Sequence, residues 1–257
     1  MAEIKPQVYK DPRPAEYFER FHERSRTKDP DFAYELVRAA LTPLALGPFR
    51  TRAIGTENVP SEGPVLLTPN HFSQMDHFFS ACYLRRKIRF MAKSQMFGPP
   101  GLTWIYNHGG VFPVRRGARD EEALKTVQAI FDRGGAVLVY AEGGRSRTGV
   151  LGDPRPGIGK MALKSGVPVV PVAIHGSASA RKWKKLAFPK VTVQYGEPIT
   201  FPINAEPTRE QQMEASLEVF DRVRTMYVGL QQHGRKGVKQ ALRDAAQADR
   251  SASPAGS

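Results

Sequence analysis

Apolar residues recur along this chain in two patterns, short runs and helical stripes, and the two patterns alternate. The runs predict strands near residues 50–55, 64–69, 88–92, 110–114, 136–141, 167–174 and 190–196. The stripes predict helices over residues 31–47, 74–85, 121–133, 157–165 and 208–230. This alternation favours a single α/β domain, in which helices flank a central mixed, mostly parallel β-sheet.

The two ends of the chain differ from this alternating middle. Residues 1–30 are polar and contain prolines, so we expect a flexible N-terminal arm with one helical piece near residues 16–26. From residue 231 to residue 257 the chain is basic and polar, which predicts a disordered tail. The folded domain is therefore expected to span residues 31–230.

The first predicted helix of that domain, residues 31–47, is expected to be amphipathic. Its apolar stripe consists of Phe32, Leu36, Val37, Ala40, Leu41 and Leu44. Asp29 or Asp31 is the expected cap, and Pro48 ends the helix.

The charge and composition of the chain limit the classes of partner that it is expected to bind. The chain carries a formal net charge of +13, so we expect anionic partners such as phosphorylated substrates, anionic lipid, an acidic carrier or nucleic acid. Cys82 is the only cysteine, which excludes an intrachain disulfide. A membrane-spanning helix needs about 20 apolar residues, and no such run occurs, so we predict no transmembrane segment.

The most informative run contains His71 and Asp76. It follows the predicted strand near residues 64–69 and leads into a predicted helix, so both side chains lie at a strand-to-helix turn. There an imidazole can act as a general base and a carboxylate can orient it. By spacing alone, a turn histidine beside a solvated helix aspartate is the favoured interpretation, because paired His and Asp residues are common.

Three later segments supply groups that bind anions. Arg115 ends one predicted strand and Lys93 ends another, and a Gly-rich loop with Glu142 and Arg145 follows a third. Ligands of open α/β sheets bind beyond the carboxyl ends of strands, and arginine is suited to phosphate. Solvated basic turns remain the alternative at each position. Residues 181–185 are also basic and are expected either to contact a membrane or an acidic carrier, or to form an ordinary loop.

Taken in order, these segments resemble the sequence blocks of the glycerolipid acyltransferase family, specifically the 1-acylglycerol-3-phosphate (lysophosphatidate) acyltransferases. The first block, Asn-His followed by four residues and Asp, matches residues 70–76. The block Phe-Ile-x-Arg appears at residues 112–115, and Phe-Pro-Glu-Gly-Thr-Arg-Ser at residues 140–146. An apolar Val-Pro-Val-x-Pro-Val run appears at residues 167–172. Pro113, Ala141 and Gly144 depart from the family residues.

The resemblance implies transfer of a fatty acyl group from a thioester, acyl-CoA or acyl carrier protein, to the free sn-2 hydroxyl of 1-acylglycerol-3-phosphate, giving phosphatidate. His71 is then the general base, and Asp76 orients it. The implied phosphate-binding residues are Arg115, Arg145 and Lys93. Glu142, Gly143 and Gly144 are expected to position the acceptor, and backbone amides of the two glycines to stabilise the oxyanion. No metal or cofactor is expected.

A lipid acceptor further implies peripheral binding to an anionic membrane surface at its cytoplasmic face. The helix that begins at Phe32 and the aromatic segment near Trp104 are the expected contacts. Other acceptors, such as glycerol-3-phosphate or another lyso-lipid, stay open. From other classes, a non-catalytic lipid-binding relative and a nucleic-acid-binding protein rank lower, the latter because the basic residues are scattered and no nucleic-acid-binding motif occurs.

Overall fold

The structure is a computed structural model and describes residues 11–115, 120–180 and 188–252. Its strands are β1 (Arg52–Ile54), β2 (Val65–Pro69), β3 (Ile88–Lys93), β4 (Val111–Val114), β5 (Ala136–Leu138), β6 (Val169–His175) and β7 (Thr192–Tyr195). Its helices are α1 (Glu16–Thr27), α2 (Phe32–Leu46), α3 (Asp76–Ala81), α4 (Pro100–His108), α5 (Glu121–Asp132), α6 (Gly157–Ser165) and α7 (Arg209–Ala252). Two short 3-10 helices cover Thr56–Asn58 and Ser94–Met96.

The seven strands form one sheet in the order β1-β7-β6-β2-β5-β3-β4. All neighbouring pairs are parallel except β6 and β7, which are antiparallel. Each predicted strand overlaps an observed one, and the predicted mixed, mostly parallel α/β fold is confirmed. Parallel strands need crossover connections, and the helices between them supply these.

The sheet is covered on both faces, which is why its central strands are apolar at nearly every position. Every residue of β2 is buried. Leu67 belongs to the core beneath α2 and α3, which includes Phe49 and Phe79. Leu66 belongs to the core beneath α5, α6 and α7, which includes Val127 and Phe220. The alternation of side chains along β2 thus joins the two cores through one strand.

The N-terminal part differs from the flexible arm expected over residues 1–30. Residues 16–27 form α1, close to the helical piece expected there, and α1 packs on α5. Phe18 and Phe21 are buried and form a small core with Phe97. The docking of α1 was not predicted because the segment is polar overall and only one stripe of the helix is apolar. Residues 1–10 lie outside the described part of the chain.

The C-terminal part differs from the tail expected to be disordered from residue 231. Helix α7 extends to Ala252, with a kink at Gly234, whose φ of 62° is outside the helical range. Just before the kink Leu230 is buried, and just after it Val238 packs beside Ile54 of β1. The expectation of disorder was wrong for residues 231–252. Only two apolar contacts, one on each side of the kink, hold this part of the helix, and so few apolar positions form too weak a pattern to predict it from the sequence.

Helix α2 forms as predicted, and the Asp31 side chain caps it by accepting a hydrogen bond from the backbone N–H of Ala33. Its buried side is formed by small and aromatic residues such as Ala33 and Tyr34, whereas Phe32 is 64% exposed and Leu36 is 63% exposed. Part of the predicted apolar stripe therefore faces solvent. Within residues 11–115, 120–180 and 188–252, none of the helices combines the length and apolar character needed to cross a bilayer.

Candidate active site

His71 and Asp76 meet at the carboxyl end of β2. The distance from His71 Nδ1 to Asp76 Oδ2 is 2.9 Å, and both side chains are buried. His71 precedes α3 and Asp76 is the first residue of that helix, so the ring reaches back over the turn. Because a carboxylate oxygen only accepts, Nδ1 carries the proton and donates, and Nε2 keeps the lone pair that a general base needs.

The turn between them is held by hydrogen bonds to the same carboxylate. The backbone N–H groups of Phe72 and Ser73 each donate to Asp76 Oδ2 at 2.7 Å. The neighbouring Asn70 anchors the turn to β6, since its amide accepts from Ile174 N at 2.7 Å and donates to Ile174 O at 3.1 Å. Asp76 thus orients the His71 ring and shapes the backbone that carries it.

Glu142 lies beside His71 and braces the Gly-rich loop. Its Oε1 accepts from the backbone N–H of His71 at 3.2 Å, and its Oε2 accepts from Gly152 N at 3.3 Å. The backbone N–H of Ser146 returns to His71 O at 2.9 Å. Burial raises the pKa of Glu142 to about 7, the charge of Asp76 adds to the rise, and the two hydrogen bonds oppose it.

One of the two glycines of this loop, Gly143, uses its backbone amide within the loop. Gly143 has φ of 66°, a conformation that favours glycine, and its N–H donates to the Tyr140 carbonyl at 3.0 Å. That amide closes a turn within the loop, and the expectation that it stabilises an oxyanion stays a prediction. Gly144 follows on the partly exposed side of the loop.

The register of the sheet places the predicted site residues along one edge. A single row of paired residues crosses four neighbouring strands through Leu67, Leu138, Phe90 and Val111. His71, Glu142 and Arg115 each stand four positions beyond this row. Lys93 stands three positions beyond it. Strands are spaced about 4.8 Å apart, so the edge extends about 14 Å from His71 to Arg115.

The predicted cations occupy this edge at different distances from His71. Arg145 follows Glu142 in the loop, and its charge is close enough to lower the pKa of His77. Arg115 donates its backbone N–H to Asp120 at 2.6 Å, while its side-chain Nε is buried without a hydrogen-bond partner among the described residues. Lys93 lies between them at the end of β3. The basic residues 181–185 fall outside the described part of the chain.

Two aromatic groups next to the base were not expected from the sequence. The Tyr140 ring stacks on the His71 ring with centroids 3.7 Å apart and planes inclined by 14°. Its hydroxyl is 3.0 Å from Nδ1 of His77. The only available signal was the position of Tyr140 two residues before Glu142. Among the described residues, no group of three or more His, Cys, Asp or Glu is arranged to hold a metal ion.

A family model described as Acyltransferase matches residues 50–175. Residues 50–175 form an acyltransferase-family domain. The match begins just before β1 and ends with β6, so the acyltransferase domain contains every predicted site residue. For residues 50–175, the predicted likeness to an acyltransferase family is confirmed.

Curated relatives of this domain are named 1-acyl-sn-glycerol-3-phosphate acyltransferases. A chloroplastic one from Brassica napus is 33% identical over 132 residues, covering 50% of this chain and 38% of that protein. Another, from Arabidopsis thaliana, is 32% identical over 126 residues, covering 48% of this chain and 35% of that protein. The chain therefore spans well under half the length of these relatives.

The fold also resembles a solved structure. The crystal structure of the 1-acyl-sn-glycerophosphate acyltransferase from Thermotoga maritima matches with a TM-score of 0.61 at 23% identity. The match covers 84% of this chain and 89% of that one, so it extends the likeness in fold beyond the acyltransferase domain.

Proposed function

We propose that this protein transfers a fatty acyl group from a thioester to the free sn-2 hydroxyl of 1-acylglycerol-3-phosphate, giving phosphatidate. The observation that carries the proposal is the buried pair of His71 and Asp76 at an edge that also bears cationic side chains. The names of the relatives of the acyltransferase domain support the choice of acceptor.

The reaction uses His71 as the general base. Nε2 takes the proton of the acceptor hydroxyl while its oxygen attacks the thioester carbonyl carbon. Collapse of the tetrahedral intermediate breaks the C–S bond, and the imidazolium returns the proton to the leaving thiolate. Asp76 stabilises the imidazolium through Nδ1. In this proposal the acceptor hydroxyl is itself the nucleophile, so no acyl-enzyme forms.

The acceptor phosphate binds to the cations of the same edge. The charge of Arg145 acts on His77 beside the base, and the phosphate of the acceptor is only a few bonds from its reacting hydroxyl, so Arg145 is the expected first contact. Lys93 and Arg115 complete the anion site from the ends of β3 and β4. Glu142 positions the acceptor indirectly, because it braces the backbone of His71.

The donor is an acyl-CoA or an acyl carrier protein, since both are anionic and the chain has a net charge of +13. Reaction without an added metal or cofactor is part of the proposal. Glycerol-3-phosphate and other lyso-lipids are the alternative acceptors, because they present the same hydroxyl and phosphate groups. A nucleic-acid-binding function has no site geometry in its favour.

We also propose peripheral binding to an anionic membrane at its cytoplasmic face. The support is the α2–α4 apolar surface, which consists of the exposed side chains Phe32, Leu36, Leu102, Trp104 and Ile105. The rings of Phe32 and Trp104 are 5.8 Å apart, so the two helices present one continuous patch. Exposed apolar patches of this kind mark interaction surfaces, and a lipid acceptor requires access to a bilayer.

The decisive experiment is His71→Ala, assayed with lysophosphatidate and with both donor types. Loss of the base is expected to lower kcat by about 10³-fold, within the usual range for general-base catalysis. His233→Ala is the matched control, because His233 is exposed on α7, and it is expected to leave kcat unchanged. Near wild-type turnover by His71→Ala would reject the assignment, and a panel of lyso-acceptors decides among the alternative acceptors.

A further inference from the structure

Tyr140 occupies a position between two histidines of the site. It follows β5, and β5 is the neighbour of β2, so the ends of the two strands bring Tyr140 against His71. The phenol ring lies face to face with the imidazole at 3.7 Å, and the phenol oxygen reaches His77 Nδ1 at 3.0 Å. The ring of His77 is 6.2 Å from that of His71.

The protonation states of Tyr140 and His77 allow the hydroxyl to donate to the histidine. Burial, and secondarily the charge of Asp76, raises the pKa of Tyr140 well above its ordinary value, so the phenol keeps its proton. Burial chiefly, followed by the positive charges of His71 and Arg145, lowers the pKa of His77 to about 4. At neutral pH His77 is therefore neutral, and in its Nε2–H tautomer its Nδ1 accepts from the Tyr140 hydroxyl.

We propose that Tyr140 is a positioning residue for the catalytic base: its ring fixes the plane of the His71 imidazole, and its bond to His77 keeps the phenol in place. The proposal rests on the proposed function of His71. By itself, the bond to Asp76 restrains only one atom of the imidazole, Nδ1, and permits some tilt of the ring. A face-to-face contact removes that freedom and so directs Nε2 towards the acceptor hydroxyl.

The stack also acts on the proton that His71 accepts. The face of an aromatic ring is electron-rich, so it attracts the imidazolium more strongly than the neutral imidazole. Tyr140 therefore favours the protonated base that forms as the hydroxyl attacks. The hydroxyl of Tyr140 has a separate purpose. The family block has Phe at this position, and a phenylalanine would stack on His71 without bonding to His77.

The test compares Tyr140→Leu, which removes the stack, with Tyr140→Phe, which removes only the hydroxyl. Tyr140→Leu is expected to lower kcat by about 10- to 100-fold, because a small misplacement of the base has an effect of that order, while KM changes by less than about twofold. Tyr140→Phe is expected to lower kcat only about 2- to 5-fold, because the stack survives and one supporting hydrogen bond is lost.

The matched control is Tyr83→Leu. Tyr83 is also partly buried, and its hydroxyl also makes one hydrogen bond, which it donates to the backbone carbonyl of Thr51 next to the distant strand β1. It is expected to lower stability and to leave kcat per folded molecule unchanged. If Tyr140→Leu lowered activity only in proportion to its folded fraction, as Tyr83→Leu does, the positioning role would be rejected.

A second measurement needs no substrate. Imidazole ¹⁵N NMR follows the titration of His71 in the wild type, Tyr140→Leu and Tyr83→Leu. Loss of the ring is expected to shift the His71 titration to lower pH by about half a unit in Tyr140→Leu alone, as expected from the loss of a modest cation–π contact. An unchanged titration would overturn the electrostatic part of the proposal.

The two measurements separate this inference from the proposed function. If the wild type transfers no acyl group, the proposed function fails, and the NMR titration still decides whether Tyr140 acts on His71. If the wild type is active and both Tyr140 variants match it in kcat and in titration, the Tyr140 inference fails alone.

Discussion

At the scale of residues, a single carboxylate oxygen organises the catalytic turn. Asp76 Oδ2 accepts from His71 Nδ1 and from two backbone N–H groups, and its Oδ1 is buried with no hydrogen-bond partner among the described residues. A negative charge held in this way costs free energy unless donors compensate it. The three donors on Oδ2 supply that compensation, so the orientation of the base and the shape of the turn depend on the same atom.

Asp76→Asn is expected to lower kcat by about 10²- to 10³-fold, no more than loss of the base itself. The amide keeps nearly the same shape, but it has no charge to stabilise the imidazolium and its NH₂ group favours the wrong tautomer of His71. The measurement is steady-state kinetics on protein whose folding is checked by circular dichroism. The control is Asp132→Asn on the exposed end of α5, which is expected to behave as wild type. More than a tenth of wild-type kcat in Asp76→Asn would contradict the role of Asp76.

Glu142 predicts a pH dependence of stability. Its pKa in the folded protein is about 7, above its value in an unfolded chain, so folding favours the protonated form. Its contribution to the free energy of unfolding is thus fully present below about pH 4 and is lost as the pH rises towards 7. Glu142→Gln is expected to remove this loss, so its stability relative to wild type increases from pH 5 to pH 8.

Urea unfolding of both proteins at several pH values measures this difference. The amide is expected to lose one of the two hydrogen bonds that the carboxylate accepts, which lowers stability equally at every pH, so only the slope is diagnostic. Glu62→Gln in the loop before β2 is the control, because Glu62 is exposed and its substitution is expected to leave the slope unchanged. Parallel curves for Glu142→Gln and wild type would contradict the raised pKa.

At the scale of elements, the contact between α6 and α7 depends on one glycine. A Cβ atom on Gly159 would lie 1.9 Å from the carbonyl oxygen of Gln212, and the N–H of Gly159 donates to Ser216 at 2.8 Å. The two helices therefore approach until backbone meets backbone. This contact closes one face of the sheet and holds α7 beside the loop of Glu142.

Gly159→Ala is expected to destabilise the protein by about 1 to 3 kcal/mol, the usual range for overpacking. Helix propensity alone predicts the opposite sign, a gain of about 1 kcal/mol. Gly229→Ala in α7 is the matched control, because no atom lies within 4 Å of its added Cβ, and it is expected to stabilise by about 0.5 to 1 kcal/mol. Thermal and urea unfolding measure both, and stabilisation by both substitutions would show that the helices separate easily.

At the scale of the whole molecule, two general forces bear on the proposed membrane binding. The net charge of +13 attracts anionic lipid over a distance, and the α2–α4 apolar surface inserts at short range. Salt screens the first force and leaves the second nearly unchanged. The two contributions can therefore be separated by varying the salt concentration.

The double variant Phe32→Ser, Trp104→Ser is expected to bind anionic vesicles at least about 10-fold more weakly, because two large side chains no longer leave water. High salt is expected to weaken wild type and variant by the same factor, since the charges are unchanged. The control is Leu217→Ser on α7, whose side chain is also exposed, and it is expected to bind as wild type. Equal sedimentation of the double variant and wild type would refute the proposed surface.

The sequence by itself determined the strands and the type of fold, because buried parallel strands and amphipathic helices have apolar spacings that need no knowledge of partners. It also predicted the family and the pair His71 and Asp76, because five positions at a strand-to-helix turn restrict their geometry. Local chemistry was enough for these features. The partners at the two ends of the chain were not predictable, since the docking of α1 and α7 depends on a few apolar contacts that are distant in sequence.

Only the tertiary structure decided what surrounds the base. Tyr140 and Glu142 follow His71 by about 70 residues, and the pairing of β2 with β5 brings them beside it. In the same way, the packing of other elements against the small residues of α2 determined which face of that helix is exposed. Register and packing arise from the cooperative fit of all strands and helices, and for that reason no local pattern reveals them.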